Sequence, residues 1–365
     1  MRGLFNVQAE PLRDFVAAVV QGMGAPPPVA AEVACHLVRA NLSGHDAHGV
    51  IRLPHYLAQA ERGELVPSAL PEVVHEHGAT ALVDAHRGFG HHATALALDW
   101  CVRQVRRHGI AAAAIRHASD VGRLGEYAER AAEAGLLAVL TAGVAGPEVG
   151  SVMLHGGRTR FFGPNPWAFA VPGGASRLVY DGSTSTIAEG EVRLAKAKGE
   201  PLPPDCVYDR FGRPSTDPDD FYAGGALVPL GGAVAGHKGY GLGFAAALFG
   251  GLSMIDDEAP WLPGAPLGED GAQGRIGGVF LQVIDPGAFG GAGAYRDLVE
   301  RTFAAARSQR PVAGRPEVLL PGEAEARSRA HRAQAGLLLP EATWTELTRV
   351  GRQFGVEAPP CERHA

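Results

Sequence analysis

The chain has 365 residues, of which 46% are hydrophobic and 20% are charged, and its formal net charge at pH 7 is -6. This length and apolar fraction allow a large core, arranged as one elaborated domain or as two to three smaller ones. The slight acidic excess and a basic cluster at 103–107 that is short and interrupted argue against a nucleic-acid partner.

The four cysteines lie far apart and form neither a CxxC motif nor a zinc-binding cluster. Glu10, Arg13 and Asp14 occur before any apolar run reaches the length of a signal sequence. The apolar stretches at 136–144 and 244–255 are shorter than the roughly 20 residues needed to cross a bilayer. We therefore expect a cytoplasmic protein with reduced cysteines, no metal site and no membrane partner.

The first half of the chain predicts alternating helices and strands. Apolar residues recur at helical spacing over 11–40, with a break at 24–28, which predicts a helical hairpin. Further on, the pattern predicts strands and helices in alternation. These elements are a strand at 80–84, a helix at 93–107, a strand at 110–115, a helix at 125–133 and a strand at 136–141. The alternation alone favours a doubly wound α/β sheet.

The second half of the chain predicts antiparallel pairing as well, which changes the expected sheet. Two strand patterns at 167–171 and 178–181 are joined by Pro-Gly-Gly, which favours a hairpin and antiparallel pairing, so the sheet should be mixed. Residues 231–239 predict a glycine-rich loop that opens a helix running to about Leu252, and 278–284 predicts another strand. The remainder, from about Tyr295, is predicted to be helical with a Pro/Gly-rich break.

A polar segment at 43–56 concentrates imidazoles, a carboxylate and a guanidinium. If the end of this segment is helical, His48 and Arg52 lie one turn apart. An imidazole exchanges protons near neutral pH and a guanidinium holds a carboxylate bidentately, which is the pair that 2-oxo acid chemistry requires. The alternatives are a solvated polar loop or helix start, and a metal site that includes His45, Asp46 and His48.

Two glycine-rich segments could contact a phosphate. The sequence GFGHHA at 88–93 matches the start of a dinucleotide-binding fingerprint, but no acidic residue ends the following strand, so we interpret its glycines as turn residues. The segment at 231–243 places backbone amides and Lys238 at a helix start, which suits an anionic phosphate. A glycine-rich turn with a solvated lysine explains the same pattern.

Seven short motifs, in order, resemble the malate/L-lactate dehydrogenase-like family, which includes ureidoglycolate, sulfolactate and 2,3-diketogulonate enzymes and reductases of cyclic imino acids. The motifs are GHDAHGVIR (44–52), GRLGEY (122–127), NPWAFAVP (165–172), DGSTS (181–185), GHKGYGL (236–242), IDP (284–286) and LPGE (320–323). The resemblance implies hydride transfer between NAD(H) or NADP(H) and a small 2-oxo, 2-hydroxy or cyclic 2-imino acid. It also implies a homodimer with the active site near the subunit boundary.

The resemblance replaces the doubly wound sheet with a non-Rossmann, mixed and largely antiparallel central sheet flanked by helices. It implies three parts. These are a helical N-terminal segment at 1–75, a cofactor-binding sheet domain at 76–292, and a C-terminal helical segment at 293–365 that packs with the N-terminal part.

The resemblance also implies roles for individual residues. His48 should pass a proton to the substrate oxygen or nitrogen, Arg52 should fix the carboxylate, and Asp181 should be the acidic partner near His48 and the cofactor. The residues expected to line the cofactor are Asp120, Asn165, Asp181, Gly182, Ser183, His237, Lys238, Pro321, Gly322 and Glu323.

Three positions depart from the family pattern. Asp120 stands where a histidine is common, Pro164 where a threonine is usual, and Glu191 where a lysine is often found. Two added negative charges beside an anionic cofactor should disfavour the 2′-phosphate form, so NAD(H) is slightly favoured over NADP(H). The competing hypothesis is a family relative that has lost redox activity and acts as a non-redox enzyme or a binding protein.

Overall fold

The computed structural model describes residues 3–174, 176–255 and 276–364, in which helices flank a large mixed sheet. The helices are Ala9–Gly22 (α1), Pro27–Leu42 (α2), Leu53–Glu61 (α3), Gly90–His108 (α4), Leu124–Glu133 (α5), Glu189–Lys198 (α6), Pro218–Tyr222 (α7), Gly232–Gly250 (α8), Ala292–Arg307 (α9), Glu323–Ala335 (α10) and Glu341–Gln353 (α11). The strands are Leu4–Val7 (β1), Glu72–His77 (β2), Thr80–Asp84 (β3), Ile110–Arg116 (β4), Leu137–Ala145 (β5), Val152–Met153 (β6), Arg160–Phe162 (β7), Trp167–Pro172 (β8), Arg177–Gly182 (β9), Val207–Tyr208 (β10), Pro214–Ser215 (β11), Ala226–Leu227 (β12), Ile276–Ile284 (β13), Leu337–Pro340 (β14) and Cys361–His364 (β15).

The predicted N-terminal hairpin forms as α1 and α2. Its apolar positions at helical spacing are buried, and they pack against Leu337, Trp344 and Leu347 from the C-terminal end of the chain. Strand β1 lies between β14 and β15 in a three-stranded antiparallel sheet. The first and last segments therefore share one hydrophobic core, while the three-part division of the chain stays a prediction.

The larger sheet has its own core under α4 and α5. Over the described residues it has twelve strands, in the order β11-β10-β12-β6-β7-β5-β13-β4-β3-β2, with β8 pairing with β5 and β9. The alternate residues Val279, Leu281 and Val283 of β13 are buried against the two helices. This alternation is typical of a strand with one face on the core.

Pairing within the sheet decides between the two expected fold classes. Strands β3 and β4 are parallel and are joined through α4, whereas β5, β8, β9 and β13 pair with their neighbours antiparallel. The mixed, largely antiparallel sheet is confirmed, and the doubly wound sheet suggested by the alternation alone is wrong. The hairpin predicted around Pro-Gly-Gly is confirmed as β8 and β9.

Two predictions of local structure are corrected. The glycine-rich loop predicted at 231–239 is largely helical, because α8 begins at Gly232 and continues through a kink at Ala235. Its glycines allow close packing on the sheet, since a Cβ at Gly250 would lie 2.5 Å from the carbonyl oxygen of Gly278. The C-terminal part is not helical throughout, because β14 and β15 pair with β1.

The segment at 88–93 was interpreted as a turn, but only Gly88 and Phe89 lie in the connection between β3 and α4, because α4 begins at Gly90. A Cβ at Gly90 would lie 2.6 Å from the carbonyl oxygen of Ser119, so backbone already fills the space beside this glycine. None of the helices in the described ranges is long and apolar enough to cross a membrane.

Candidate active site

A cleft of about 520 Å³ opens between the N-terminal helical segment and residues of β4, β5 and β13 in the large sheet. His48 and Arg52 line it from the N-terminal side, and Asp120, which follows β4, lines it from the sheet side. Asn165, in the loop before β8, also lies on its wall. The fold therefore brings four of the predicted site residues to one cavity.

Two consecutive 3-10 turns, Asp46–His48 and Val50–Arg52, carry the catalytic candidates into the cleft. Asn41 of α2 fixes them. Its Oδ1 accepts from the backbone N–H of Val50 at 2.9 Å, and its Nδ2 donates to Asp46 at 2.7 Å. A side chain at Gly49 would overlap Asn41, so glycine is required between the turns. The predicted juxtaposition of His48 and Arg52 is therefore produced by two tight turns rather than by one α-helix.

The imidazole of His48 is exposed to the cleft, and in the described part of the chain no side chain forms a hydrogen bond with it. Partial desolvation lowers the pKa of His48 below its usual value, while the negative charges of Asp120 and Asp181 oppose this shift. The ring is thus mainly neutral at pH 7 and remains available to a ligand in the cleft.

Arg52 forms an ion pair with Asp120. Its Nη2 and Nε donate to Asp120 Oδ2 at 2.6 and 3.0 Å, and the Tyr56 hydroxyl donates to the same oxygen at 3.2 Å. The other carboxylate oxygen accepts from the N–H of Gly122 at 2.9 Å. Burial alone would raise the pKa of Asp120, but the charge of Arg52 and these hydrogen bonds hold it well below its usual range. Asp120 is therefore an anion in this cleft.

Two buried histidines lie behind this pair. His91 Nε2 is 3.5 Å from the Tyr56 hydroxyl, and burial lowers the pKa of His91 to about 4. His36 Nε2 accepts from the backbone N–H of Arg123 at 2.8 Å, and burial lowers its pKa as well. Neither histidine was predicted as a site residue, because nothing in the local pattern distinguishes the two from other helical residues.

Asp181 lies at the end of β9, with its Oδ2 accepting from the N–H of Gly125 at 2.7 Å. Nε of Arg123, which is 3% exposed, lies 3.6 Å from the same oxygen. A Cβ at Gly125 would lie 3.0 Å from Asp181, so the glycine leaves its N–H within reach. Since the charge of Asp181 acts on the pKa of His48, the two predicted partners are electrostatically coupled.

A second group of predicted cofactor residues lies beside β9. The carbonyl of Pro321 accepts from the N–H of Val179 at 3.0 Å, and Gly322 adopts a φ of 94° against Val179. The carboxylate of Glu323 is already hydrogen-bonded within the protein, because it accepts from Arg307 and from the N–H of Leu320. The loop at 320–323 therefore flanks the strand that continues into Asp181, Gly182 and Ser183.

The remaining predicted residues have different surroundings. His237 and Lys238 are exposed just after the kink in α8 and do not line the cleft. The side-chain amide of Asn165 donates to the carbonyl of Gly243 at 2.7 Å and accepts from the N–H of Val144 at 3.0 Å. Asn165 therefore holds α8 to β5. Within the described ranges, no three His, Cys, Asp or Glu side chains converge in a way that could hold a metal ion.

The chain is similar over most of its length to dehydrogenases and reductases. The sequence profile of the malate/L-lactate dehydrogenase family matches residues 7–348. Hydroxycarboxylate dehydrogenase B of Escherichia coli (strain K12) is 32% identical over 356 residues, covering 95% of this chain and 94% of the relative. A Delta(1)-pyrroline-2-carboxylate/Delta(1)-piperideine-2-carboxylate reductase of Pseudomonas putida is 33% identical over 339 residues, covering 90% and 92%. The structure of sulfolactate dehydrogenase from Methanocaldococcus jannaschii aligns with a TM-score of 0.83 at 26% identity, covering 96% of this chain and 98% of that one.

The fold, the cleft and these relatives define a nicotinamide-dependent oxidoreductase with a mixed, non-Rossmann sheet. The chain belongs to the malate/L-lactate dehydrogenase family. The resemblance inferred from seven motifs is confirmed, and so is the predicted class of enzyme.

The cleft suits the cofactor that the family implies. Its volume lies in the ordinary range for cofactor sites, and apolar side chains of Ile115, Val121, Val144 and Val279 line it. Such walls can accept a nicotinamide ring and exclude water, while His48 and Arg52 offer polar contacts to a small substrate. The residues present therefore fit a nicotinamide and a small acid side by side.

Proposed function

We propose that this protein transfers a hydride between NAD(P)H and C2 of a small 2-oxo or 2-hydroxy acid or a cyclic 2-imino acid. The observation that carries the proposal is the presence of His48 and Arg52 in one cleft with Asp181 close enough to affect the imidazole. When bound, the cofactor supplies or accepts the hydride. The chain's own groups bind the acid, orient C2 and move the proton.

His48 is the proposed proton carrier. In the reductive direction its protonated ring donates to the substrate oxygen as that oxygen gains charge, and in the oxidative direction its neutral ring removes the hydroxyl proton. The nearby negative charge of Asp181 stabilises the protonated ring. Arg52 is the proposed carboxylate clamp, because one Nη2–H and both Nη1–H groups remain after the two bonds to Asp120.

The cofactor contacts remain proposals for every predicted residue. The arrangement of the 320–323 loop beside β9 supports a common surface formed by Asp181, Gly182, Ser183, Pro321 and Gly322. The slight preference for NAD(H) is supported by Glu191 alone, because the charge of Asp120 is compensated by Arg52.

Two measurements test the proposed function. Oxidation of NADH and NADPH is followed by absorbance with a panel of 2-oxo and cyclic 2-imino acids, and binding of each cofactor is followed by quenching of tryptophan fluorescence. We expect turnover with at least one acid and quenching by at least one cofactor. Absence of quenching at millimolar cofactor would favour the redox-inactive alternative.

We also propose a cytoplasmic location, which is supported by the four cysteines, since they form no disulfide.

We propose in addition that the protein is a homodimer. Helix α8 is mostly apolar, yet its Leu248 is about half exposed. Leu252, in the 3-10 turn that follows the helix, is also about half exposed, and Ile255 after that turn is 74% exposed. Such a helix needs another surface to cover it. A Leu248→Glu, Leu252→Glu variant should sediment as a monomer, whereas Leu338→Glu, at an exposed leucine on β14, should not change the mass.

A further inference from the structure

The cleft contains a carboxylate placed directly on its carboxylate-binding arginine. Asp120 Oδ2 is saturated by three donors, two from Arg52 and one from Tyr56, whereas Oδ1 accepts from one donor among the described residues, the N–H of Gly122. Oδ1 therefore has a lone pair left for a ligand, and Arg52, bound to the other oxygen of the same carboxylate, has three N–H groups left. The side chains of Asp120 and Arg52 are 19% and 33% exposed, so a ligand in the cleft can reach both.

The other two arginines that line the cleft, Arg62 and Arg116, are also neutralised by carboxylates and give the cleft no excess positive charge. Arg62 donates to Glu64 at 2.8 Å, and Arg116 donates to Asp84 at 2.9 Å. Each guanidinium that the described part of the chain contributes to the cleft is therefore paired with a carboxylate. A ligand that carries only a negative charge would gain a hydrogen bond from Arg52 and be repelled by Asp120.

A ligand with adjacent opposite charges meets no such conflict. Its carboxylate accepts from the free N–H groups of Arg52, while an N–H on the neighbouring carbon donates to Asp120 Oδ1. We propose that Asp120 is a specificity-determining residue that selects a 2-imino acid, protonated on nitrogen, over the corresponding 2-oxo acid. This inference rests on the proposed function and narrows its substrate class.

The step balances with the cofactor as the only reductant. When bound, the nicotinamide cofactor would supply a hydride that forms the C–H bond at C2 of the iminium, and the C=N π pair would become the nitrogen lone pair. The secondary amine then takes one proton from His48 or from water and becomes an ammonium. Asp120 stays ionised throughout, because its negative charge favours both the iminium and the ammonium.

The first test compares substrates of matched carbon skeleton. Initial rates with Delta(1)-piperideine-2-carboxylate and with 2-oxohexanoate are measured with NADH and NADPH for the wild-type protein, Asp120→Asn and Asp120→His. We expect the wild-type protein to favour the imino acid by about 100-fold in kcat/KM, and both variants to lower that ratio by about tenfold or more. Glu64→Gln removes an equal charge from the same cleft and should leave the ratio unchanged.

The second test requires no turnover. Piperidine-2-carboxylate and cyclohexanecarboxylate have the same ring size and differ in the ring nitrogen. Titration calorimetry should show about tenfold tighter binding of the nitrogen compound to the wild-type protein, and no such difference in Asp120→Asn. Circular dichroism checks that each variant is folded. If Asp120→Asn does not fold, Asp120→His replaces it in the titration.

The possible outcomes distinguish failure of the proposed role of Asp120 from failure of the proposed function. Turnover of the 2-oxo acid alone, or a substrate ratio that both variants leave unchanged, overturns the role of Asp120 and leaves the proposed function intact. Failure to oxidise either cofactor with any acid overturns both.

Discussion

Arg52 Nη2 lies 2.6 Å from Asp120 Oδ2, so the proposed carboxylate clamp is already engaged by a carboxylate of the protein itself. The two residues are 68 positions apart in the sequence, on a 3-10 turn and on the segment that follows β4. Their pairing fixes the direction of the guanidinium and leaves its remaining N–H groups for a ligand. Several properties of the protein should depend on this geometry.

Arg52→Lys should raise the KM for the acid by about tenfold or more, because an ammonium cannot bind Asp120 and a substrate carboxylate in a fixed plane. Steady-state kinetics with the best acid from the panel measures the change. Arg62→Lys, at an arginine that pairs with Glu64 in the same cleft, is the matched control and should have a much smaller effect. An unchanged KM in Arg52→Lys would place the clamp elsewhere.

His48→Ala should lower kcat by about 10²–10⁴-fold for a 2-oxo or 2-hydroxy acid, which is the usual contribution of a general acid or base. Cofactor affinity, measured by fluorescence, should change little. His55→Ala is the control, since His55 lines the same cleft from α3. Near-wild-type turnover in His48→Ala would refute the assignment of His48 as proton carrier.

The pH dependence should report the coupling of His48 to Asp181. Oxidation of a hydroxy acid requires neutral His48, so its rate rises as pH increases through the pKa of His48, which desolvation lowers. The negative charge of Asp181 raises that pKa, and Asp181→Asn should therefore move the acidic limb of kcat/KM to lower pH. A limb that stays in place, or moves to higher pH, would show that Asp181 does not act on His48.

Stability should fall in mild acid because of His91. The folded-state pKa of His91 is about 4, well below the ordinary value near 6.5, so between these pH values the unfolded state binds more protons. The free energy of unfolding should then decrease as pH falls below about 6.5, by up to about 1.4 kcal/mol per pH unit.

Urea unfolding at several pH values tests this expectation on the wild-type protein and on His91→Phe, which keeps an aromatic ring but cannot titrate. The variant should show a shallower slope between pH 6.5 and 4. His108→Phe, on the exposed end of the same helix, is the control. Identical slopes in the wild-type protein and His91→Phe would place the acid sensitivity in other groups.

Local patterns were sufficient for the elements that bury one regular face. The spacing of Val16, Val19 and Val20 predicted α1, and the strand predicted at 110–115 forms as β4. The strands β14 and β15 were missed because they are four residues long and pair only with β1, more than 300 positions away. Such pairing leaves no local signal.

Part of the candidate site was predictable because some of its residues lie close together in the sequence. His48 and Arg52 are close in sequence, so their clustering was visible, and the family resemblance connected Asp181 to them. The resemblance assigned Asp120 to the cofactor, whereas the structure pairs it with Arg52. A contact between an arginine and an aspartate 68 residues apart depends on the packing of the N-terminal helices against α4 and α5, which no short pattern encodes.

The choice between NADH and NADPH should depend on Glu191 and not on Asp120. The carboxylate of Glu191 accepts from the N–H of Ala188 at 2.9 Å and thus caps the first turn of α6, where its charge is exposed and unneutralised by an arginine in the described ranges. The charge of Asp120 is instead compensated by Arg52. A 2′-phosphate near the first turn of α6 would therefore be repelled by Glu191, together with Glu189 of the same turn, and not by Asp120.

Glu191→Gln separates the charge from the cap, because a glutamine oxygen can still accept the hydrogen bond from Ala188. We expect the ratio of kcat/KM for NADPH to that for NADH to rise by several-fold, since one close charge at an exposed site contributes on the order of 1 kcal/mol. Asp120→Asn should leave this ratio unchanged even though it alters the substrate ratio. If the wild-type protein already prefers NADPH, or if Asp120→Asn changes the cofactor ratio as much as Glu191→Gln does, the repulsion by Glu191 does not determine cofactor choice.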